Sequence, residues 1–427
     1  MIKLLVTSPF HPQKINPRIA YVKYIKKSLS YKIDVKICWL VTQKNDVNYN
    51  LKFDDEIFYV ENFKNAYEFI EFVKPDIYLA NPTLEPVNEA ISLVAFDKKI
   101  PIICFEHSFF FISNFIHVDK NKLNLLFSNI LPSDNSTNKK FLKRFNFYFI
   151  KILFLFKTKW KFNKNIKKLF LLFFEIFNLI NYTSGLNPYG QIYLVSGEYS
   201  LKSPSYFKSN IQKKIKIVGN PYWDIVSKKI KTTELFPHQK IKILIVTDSL
   251  HEHGFWTDKQ RDHFLSKLIS NIKSESNFVV DFKIHPSSEN INFYENLIKD
   301  QMMDSKIYQK EDLWDMAKNY DIFLTYGYSQ VHFELAYSGR KTILLNSCIN
   351  LPLMTLVKEA IDIGTFKQSD NDESLVPFIH NFHNEKVSSN KDFEKIISKY
   401  IPLSKNNSAE IISNIILDVN DKKNIDF

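Results

Sequence analysis

The sequence predicts an α/β protein of two tandem domains, each a parallel sheet flanked by helices. Three observations predict it. The chain has 427 residues, more than one hydrophobic core ordinarily organises. Short apolar runs alternate with stretches of helical spacing, the pattern of strand–helix–strand units. That alternation stops at a polar, proline-containing stretch near 228–238, "KKIKTTELFPH", and then restarts. The expected domains are 1–230 and 236–427, facing each other across a cleft, with a helical tail on the second.

Each element follows from its local pattern. "IKLLVTSP" (2–9) reads as a strand ending at a turn, "RIAYVKYIKKSLS" (18–30) as a helix, and "DVKICWLV" (34–41) as the next strand. "NAYEFIEFVKPDIYLANP" gives a helix and a short strand at 76–80. "KKIPIICFEHS" (98–108), "GQIYLVSGEYS" (190–200) and "KIKIVGNPYWD" (214–224) read as further strands. After the break come strand 240–249, helix 258–274, strand 278–286, helix 292–301, a short helix at 311–320, strand 321–327, helix 329–339 and strand 341–346. Ser329 stands at the cap of the helix at 329–339 and Gly339 at its end, where caps are expected.

Composition narrows the class. Hydrophobic residues make up 45% of the chain, ample for two cores. The three cysteines, Cys38, Cys104 and Cys348, lie far apart, without zinc spacing, and imply a reducing compartment. The N-terminus reads as a strand and carries no signal-peptide pattern. No apolar run reaches the roughly 18 residues of a membrane span. No P-loop, GxGxxG signature or Ser-His-Asp order occurs.

In open α/β sheets ligands sit beyond the C-terminal ends of strands. The polar residues expected there are Thr7-Ser8, Glu106-His107, Gly219-Asn220, Thr247-Asp248, His285 and Tyr326 to Gln330. The strand 278–286 ends abruptly in His285-Pro286. Proline stops the strand and sets the turn that presents the histidine. In "TYGYSQVHFELAYSGRKTILL" (325–345) a glycine turn leads into a helix whose free N–H groups and dipole favour phosphate. Ser329 and Gln330 add side-chain hydrogen bonds, and Glu334 is placed to accept from ribose hydroxyls. The plain alternative is that Ser329 only caps the helix and Glu334 faces solvent.

These segments resemble a known group. "YSQVHFELAYSGRK", from Tyr328 to Lys341, is similar to the "YSSxxFDxxxxGKP" motif of the CDP-glycerol glycerophosphotransferases and capsular polysaccharide transferases, with Glu334 for the Asp. "FKIHP" (282–286) resembles their "KxHP" strand end and the His-Pro motif of bacterial sialyl- and polysialyltransferases. The resemblance implies a GT-B fold of two Rossmann-like domains, with the nucleotide held by the C-terminal one. It implies His285, Pro286, Tyr328, Ser329, Gln330 and Glu334 as donor ligands, with Asp248 in a loop near the diphosphate. A weaker resemblance is to the UDP-N-acetylglucosamine 2-epimerases: "IVGNPYWDIV" (217–226) is similar to their "xTGNxxxD", which brings in Gly219. The chain lacks their His-Arg pair and "SGGxQEE", and "ICFEHSFFF" stands where they have "HVEAGLRS". Asp248, His251, Glu252 and His253 could ligate a metal, but the resemblance implies none.

Sugar transfer with inversion needs a general base. The candidates are Glu106 and His107, then Glu85, then His11; a structural histidine is the plain alternative for His107. The resemblance implies no tightly bound cofactor and a CMP-, CDP- or UDP-linked sugar as donor. The expected activity is glycosyl transfer to a surface glycan of capsule or lipopolysaccharide type. Glycerophosphotransfer, epimerisation and a non-catalytic GT-B or membrane-binding role are the alternatives.

The formal net charge of +11 is concentrated, because Lys139 to Lys168 contains eleven basic residues and no acidic one. The segment 139–180 interleaves those cations with Phe, Trp160, Leu and Ile. Helices of this kind suit an anionic membrane surface. The alternatives are core helices with a solvated basic face, or an acceptor lid. No nucleic-acid-binding pattern accompanies it. The expected location is the cytoplasm, peripheral at the inner face of the membrane, where a glycan or lipid-linked acceptor is met.

Overall fold

The computed structural model describes residues 1–9, 11–13, 17–42, 54–83, 85–106, 135–162, 186–202, 211–231, 239–252, 255–286, 289–327, 329–346, 355–385, 398 and 407–422. The chain forms two compact α/β units. The first contains β1 (Ile2–Ser8), α1 (Pro17–Ser30), β2 (Val35–Val41), β3 (Glu56–Tyr59), α2 (Ala66–Val73), β4 (Ile77–Ala80), α3 (Pro86–Asp97), β5 (Ile102–Phe105), α4 (Asn135–Phe162), β6 (Ile192–Val195) and β7 (Ile215–Ile217). Helix α5 (Pro221–Lys231) carries the chain into the second unit, which begins at Trp223. That unit contains β8 (Ile241–Val246), α6 (Asp258–Lys273), β9 (Phe278–Lys283), α7 (Ile291–Asp300), β10 (Ile307–Tyr308), α8 (Leu313–Met316), β11 (Ile322–Thr325), α9 (Gln330–Ser338), β12 (Thr342–Leu345), α10 (Thr355–Asp362), β13 (Phe366–Ser369) and α11 (Leu375–Asn384). Helix α12 (Ser408–Lys422) returns to the first unit.

Both sheets are parallel and doubly wound. The first runs β3-β2-β1-β4-β5-β6-β7 and the second β10-β9-β8-β11-β12-β13. In each, strand order reverses beside the unit's first strand, between β1 and β4 and between β8 and β11. Such a switch point opens a crevice at the strand C-termini.

Side-chain alternation divides the core of the first unit. Leu5, Cys38 and Leu40 face α2, α3 and the buried Phe154 and Leu155 of α4. Ile2, Leu4, Val6, Ile37 and Trp39 face α1 and α12. Strands buried on both faces read as nearly continuous apolar runs, which is why β1 and β2 were legible. Each such aliphatic side chain contributes roughly 1.5–3 kcal/mol on burial.

Three expectations about organisation are corrected. The tail does not complete the second domain. Ile412, Ile415 and Ile416 of α12, spaced along one helix face, are buried with Ile19, Val22 and Ile25 of α1. Periodicity shows an apolar face but not its partner. The chain changes unit inside α5 rather than after 230, because Trp223 is 1% exposed and packs its ring on Tyr337 of α9 at 4.7 Å. The segment 214–224 is only in part a strand: β7 stops at Ile217 and a helix begins at Pro221. The strands β3, β10 and β13 and the helix α3 were not anticipated.

The basic segment is a helix from Asn135 to Phe162; residues 163–180 lie outside the described residues. Phe154, Leu155 and Thr158 are buried. The Thr158 hydroxyl accepts the Ala66 backbone N–H at 3.0 Å, tying α4 to the start of α2. Lys151 pairs with Glu85 at 3.4 Å, and Lys159 pairs with Glu89. Two of the cations are therefore paired with carboxylates, one at the N-cap of α3 and one within it. Among the described residues, no helix is long and apolar enough to cross a membrane.

Candidate functional site

In the second unit the strand order places the ends of β9, β8 and β11 side by side. His285 follows β9, Asp248 follows β8, and Gly327 and Ser329 follow β11. Three segments far apart in sequence thus meet at one sheet edge. Gly327 has φ +81°, and a Cβ built on it would lie 2.9 Å from the Cβ of Asp248 and nearer still to its carboxylate. Glycine is required there both by backbone conformation and by close approach.

Ser329 caps α9: its backbone is extended and its hydroxyl accepts the Val331 N–H at 3.4 Å. The plain role predicted for this serine is therefore real. The first N–H groups of α9 lie at the same edge as His285. Tyr328 lies outside the described residues, and so does the side chain of Gln330.

Glu334 is not a solvated helix residue. It is 5% exposed, and Trp314 Nε1 donates to its Oε2 at 2.8 Å. Two residues earlier, His332 is also buried and its Nε2 lies 2.9 Å from Thr325 Oγ1. Burial pushes its pKa down to about 4, so the ring is neutral at ordinary pH.

The His-Pro turn is held by a residue the motif reading passed over. Glu289 is 7% exposed. Its Oε2 accepts the His285 backbone N–H at 2.5 Å and the Thr247 hydroxyl, and its Oε1 accepts the Tyr294 hydroxyl. Gln309 Nε2 donates to the Glu289 carbonyl at 2.8 Å and to the His285 carbonyl at 3.4 Å. Burial raises the Glu289 pKa to about 7, against the pull of these donors. Lys283, also buried, turns its ammonium onto the carbonyls of Ile284 and Gln309 at 3.1 and 2.9 Å. Pro286 is half-buried after His285. An acidic residue four positions after His285 was visible in the sequence, but nothing local distinguished it from a surface glutamate.

His251 joins an ionic cluster with Glu252 at 3.3 Å, Asp258 at 2.9 Å and Arg261 at 3.3 Å. His253 lies outside the described residues. Among the described residues, no group of three or more His, Cys, Asp and Glu side chains could hold a metal.

In the first unit, Glu106 follows β5 and is 5% exposed. Its Oε2 accepts the Ser200 hydroxyl at 2.9 Å and the Ser196 N–H at 3.3 Å. His107 lies outside the described residues. At the neighbouring end of β4, Glu85 accepts from Asn81 Nδ2 at 3.3 Å and pairs with Lys151. Arg18, 3% exposed, lies over the Phe105 ring at 5.2 Å and is attracted by Glu85, while burial lowers its pKa. His11 is 7% exposed in the loop after β1, and its Nδ1 accepts the Gln13 N–H at 3.3 Å. Gly219, with φ +79°, also belongs to this unit. A Cβ on it would meet Ser408 at the start of α12, with the two Cβ atoms 3.2 Å apart. That packing accounts for the glycine, and the structure does not place it on the sheet of His285 and Ser329.

No protein-family profile matches the chain, and no curated protein matches it in sequence. Solved structures do. The UDP-GlcNAc 2-epimerase of Methanocaldococcus jannaschii, in complex with UDP-GlcNAc and UDP, matches 98% of this chain and 99% of its own, with TM-score 0.52 and 15% identity. The wall teichoic acid polymerase TagF matches 99% of this chain and 89% of its own, with TM-score 0.52 and 13% identity. A glycotransferase of kitacinnamycin matches 98% of each chain, with TM-score 0.50 and 9% identity. At these identities the likeness is one of fold. The chain has the GT-B fold, two parallel-sheet α/β units in tandem.

Proposed function

We propose that this protein is a nucleotide-sugar-dependent glycosyltransferase acting on a surface glycan of capsule or lipopolysaccharide type. The observation that carries the reading is the convergence of His285, Asp248 and the Ser329-capped N-terminus of α9 on adjacent strand ends of the second unit. A solved protein of the same fold holds UDP and UDP-GlcNAc. In the proposed site, the N–H groups of α9 and His285 meet the donor's phosphates, and Glu334 accepts from the ribose. Pro286, Tyr328 and Gln330 complete the donor side, with no metal and no tightly bound cofactor. Glu106 or His107 of the first unit is the proposed base toward a glycan or lipid-linked acceptor.

The resemblance of the Tyr328–Lys341 segment to the CDP-glycerol glycerophosphotransferases supports a second reading, transfer of a CDP-activated alcohol phosphate, and a wall teichoic acid polymerase, TagF, shares the fold. Titrating CMP, CDP and UDP against the protein, followed by product analysis with CDP-glycerol and sugar nucleotides, separates the two. Absence of binding by all three nucleotides would falsify the donor reading.

We further propose a peripheral site of action on the inner face of the cytoplasmic membrane. Phe149, Trp160 and Phe162 of α4 are 50%, 53% and 43% exposed, beside exposed Lys157 and Lys161. Aromatic rings interleaved with cations suit an anionic bilayer surface.

A further inference from the structure

We infer that Glu289 is a positioning residue for the donor: its buried carboxylate latches the His-Pro turn to the end of β8 and so sets where His285 meets the nucleotide. The inference rests on the donor reading above. It is carried by geometry. One oxygen, Oε2, takes both the His285 backbone N–H at 2.5 Å and the Thr247 hydroxyl, joining the end of β9 to the end of β8. The other oxygen takes the Tyr294 hydroxyl, anchoring the same carboxylate to α7. Gln309 straps the carbonyls at both ends of the turn from the β10 side. The carboxylate therefore joins three elements through one side chain, Gln309 adds a fourth through the backbone carbonyls, and Glu289 itself needs no contact with substrate.

The residue type follows from the donors. A backbone N–H cannot reverse its role, so Oε2 must remain an acceptor. The hydroxyls of Thr247 and Tyr294 can either donate or accept. Glutamine can therefore keep its oxygen on His285 and turn its amide to Tyr294, whereas alanine leaves three buried polar groups without their partner. Thr247 immediately precedes Asp248, so the latch also fixes the strand end from which Asp248 projects. The charged and titratable groups that act on Glu289 or are acted on by it are Glu252 after β8, Lys283 on β9, Tyr294 on α7 and Tyr326 after β11.

The test is a double-mutant cycle read by calorimetric titration of CDP and UDP. Glu289→Ala and His285→Ala are each expected to weaken binding about tenfold, and the double variant is expected to be no weaker than His285→Ala alone. Glu289→Gln is expected to bind within about threefold of wild type. Should Glu289→Ala not fold, Tyr294→Phe in place of it carries the cycle, because it loosens the carboxylate by one anchor and changes no residue of the turn, so a smaller loss of the same non-additive kind is expected. Wild-type binding left unchanged by Glu289→Ala, or losses that simply add, overturns the role of Glu289 alone. No binding by the wild type overturns the donor reading and this role with it.

Discussion

Trp314 and Glu334, from two different helices of the second unit, share a buried hydrogen bond of 2.8 Å between the indole Nε1 and Oε2. The bond orients a carboxylate on a helix that begins at the sheet edge. Glu334 is the carboxylate proposed to accept from the ribose, so its orientation bears on donor recognition. Trp314→Phe removes the donor while retaining an aromatic ring. We expect a stability loss of about 1–3 kcal/mol, since a buried carboxylate oxygen loses its partner. Urea denaturation measures this, and an unchanged midpoint would show that the bond contributes nothing. The same variant is expected to reduce discrimination between UDP and 2′-deoxy-UDP.

Gly327→Ala tests the close approach of β11 to β8. The added Cβ would collide with Asp248 on a backbone at φ +81°. The left-handed conformation alone costs about 1–2 kcal/mol for a residue with a side chain. Displacement of Asp248 adds to it. A thermal melt should fall by several degrees, and nucleotide affinity should fall with it. A melt equal to wild type would mean the turn relaxes freely.

Two buried groups give opposed pH dependences of stability. Glu289 titrates at about 7 in the folded chain, above the 4.5 of an unperturbed glutamate. Its folded state binds the proton more tightly, so its contribution is complete below 4.5 and is lost as pH rises through 7. The full span is roughly 3 kcal/mol. His332 is lowered from 6.5 to about 4, so its contribution is complete above 6.5 and is lost as pH falls toward 4. Glu289→Gln removes only the first effect. Relative to wild type, the variant should gain stability steadily between pH 4.5 and 7.5 in denaturant titrations. A constant difference across that window would contradict the assignment.

Glu106→Gln separates binding from chemistry. Its neighbours Ser200 and the Ser196 N–H can bond an amide oxygen as they bond the carboxylate. If Glu106 is the base, turnover should drop by about a hundredfold or more while CDP or UDP affinity stays unchanged. Full activity in the variant would move the role to His107 or Glu85.

The exposed face of α4 gives the last prediction. Replacing Phe149 and Trp160 with Ser should leave the melt nearly unchanged, since both are half exposed or more. Flotation with vesicles of anionic phospholipid should decrease sharply, and flotation with neutral vesicles should remain low in both proteins. Equal flotation of variant and wild type would remove the membrane reading.

Particular residues show what was legible and what was not. The strands β1, β2, β8, β9 and β11 were read from apolar runs of four to seven residues, because burial on both faces leaves a local mark. His285-Pro286 was legible because proline stops a strand wherever it occurs. Ser329 and Gly339 were legible because caps are properties of helix ends, and Gly339 does adopt the left-handed cap. Glu289 and Trp314 were not, since their importance lies in donors and acceptors brought by other segments.

By itself, the sequence determined two α/β halves, their parallel strands and the polar residues that end them, because each is set by periodicity or stereochemistry within about ten residues. Only the tertiary structure decided which strand ends are neighbours. It decided that Gly327 must make room for Asp248, that Gly219 makes room for Ser408, and that α12 completes the first unit instead of the second. The physical reason is the same in each case. Strand order and helix docking are fixed by burial between segments tens to hundreds of residues apart, and an apolar face or a lone carboxylate carries no local record of its partner.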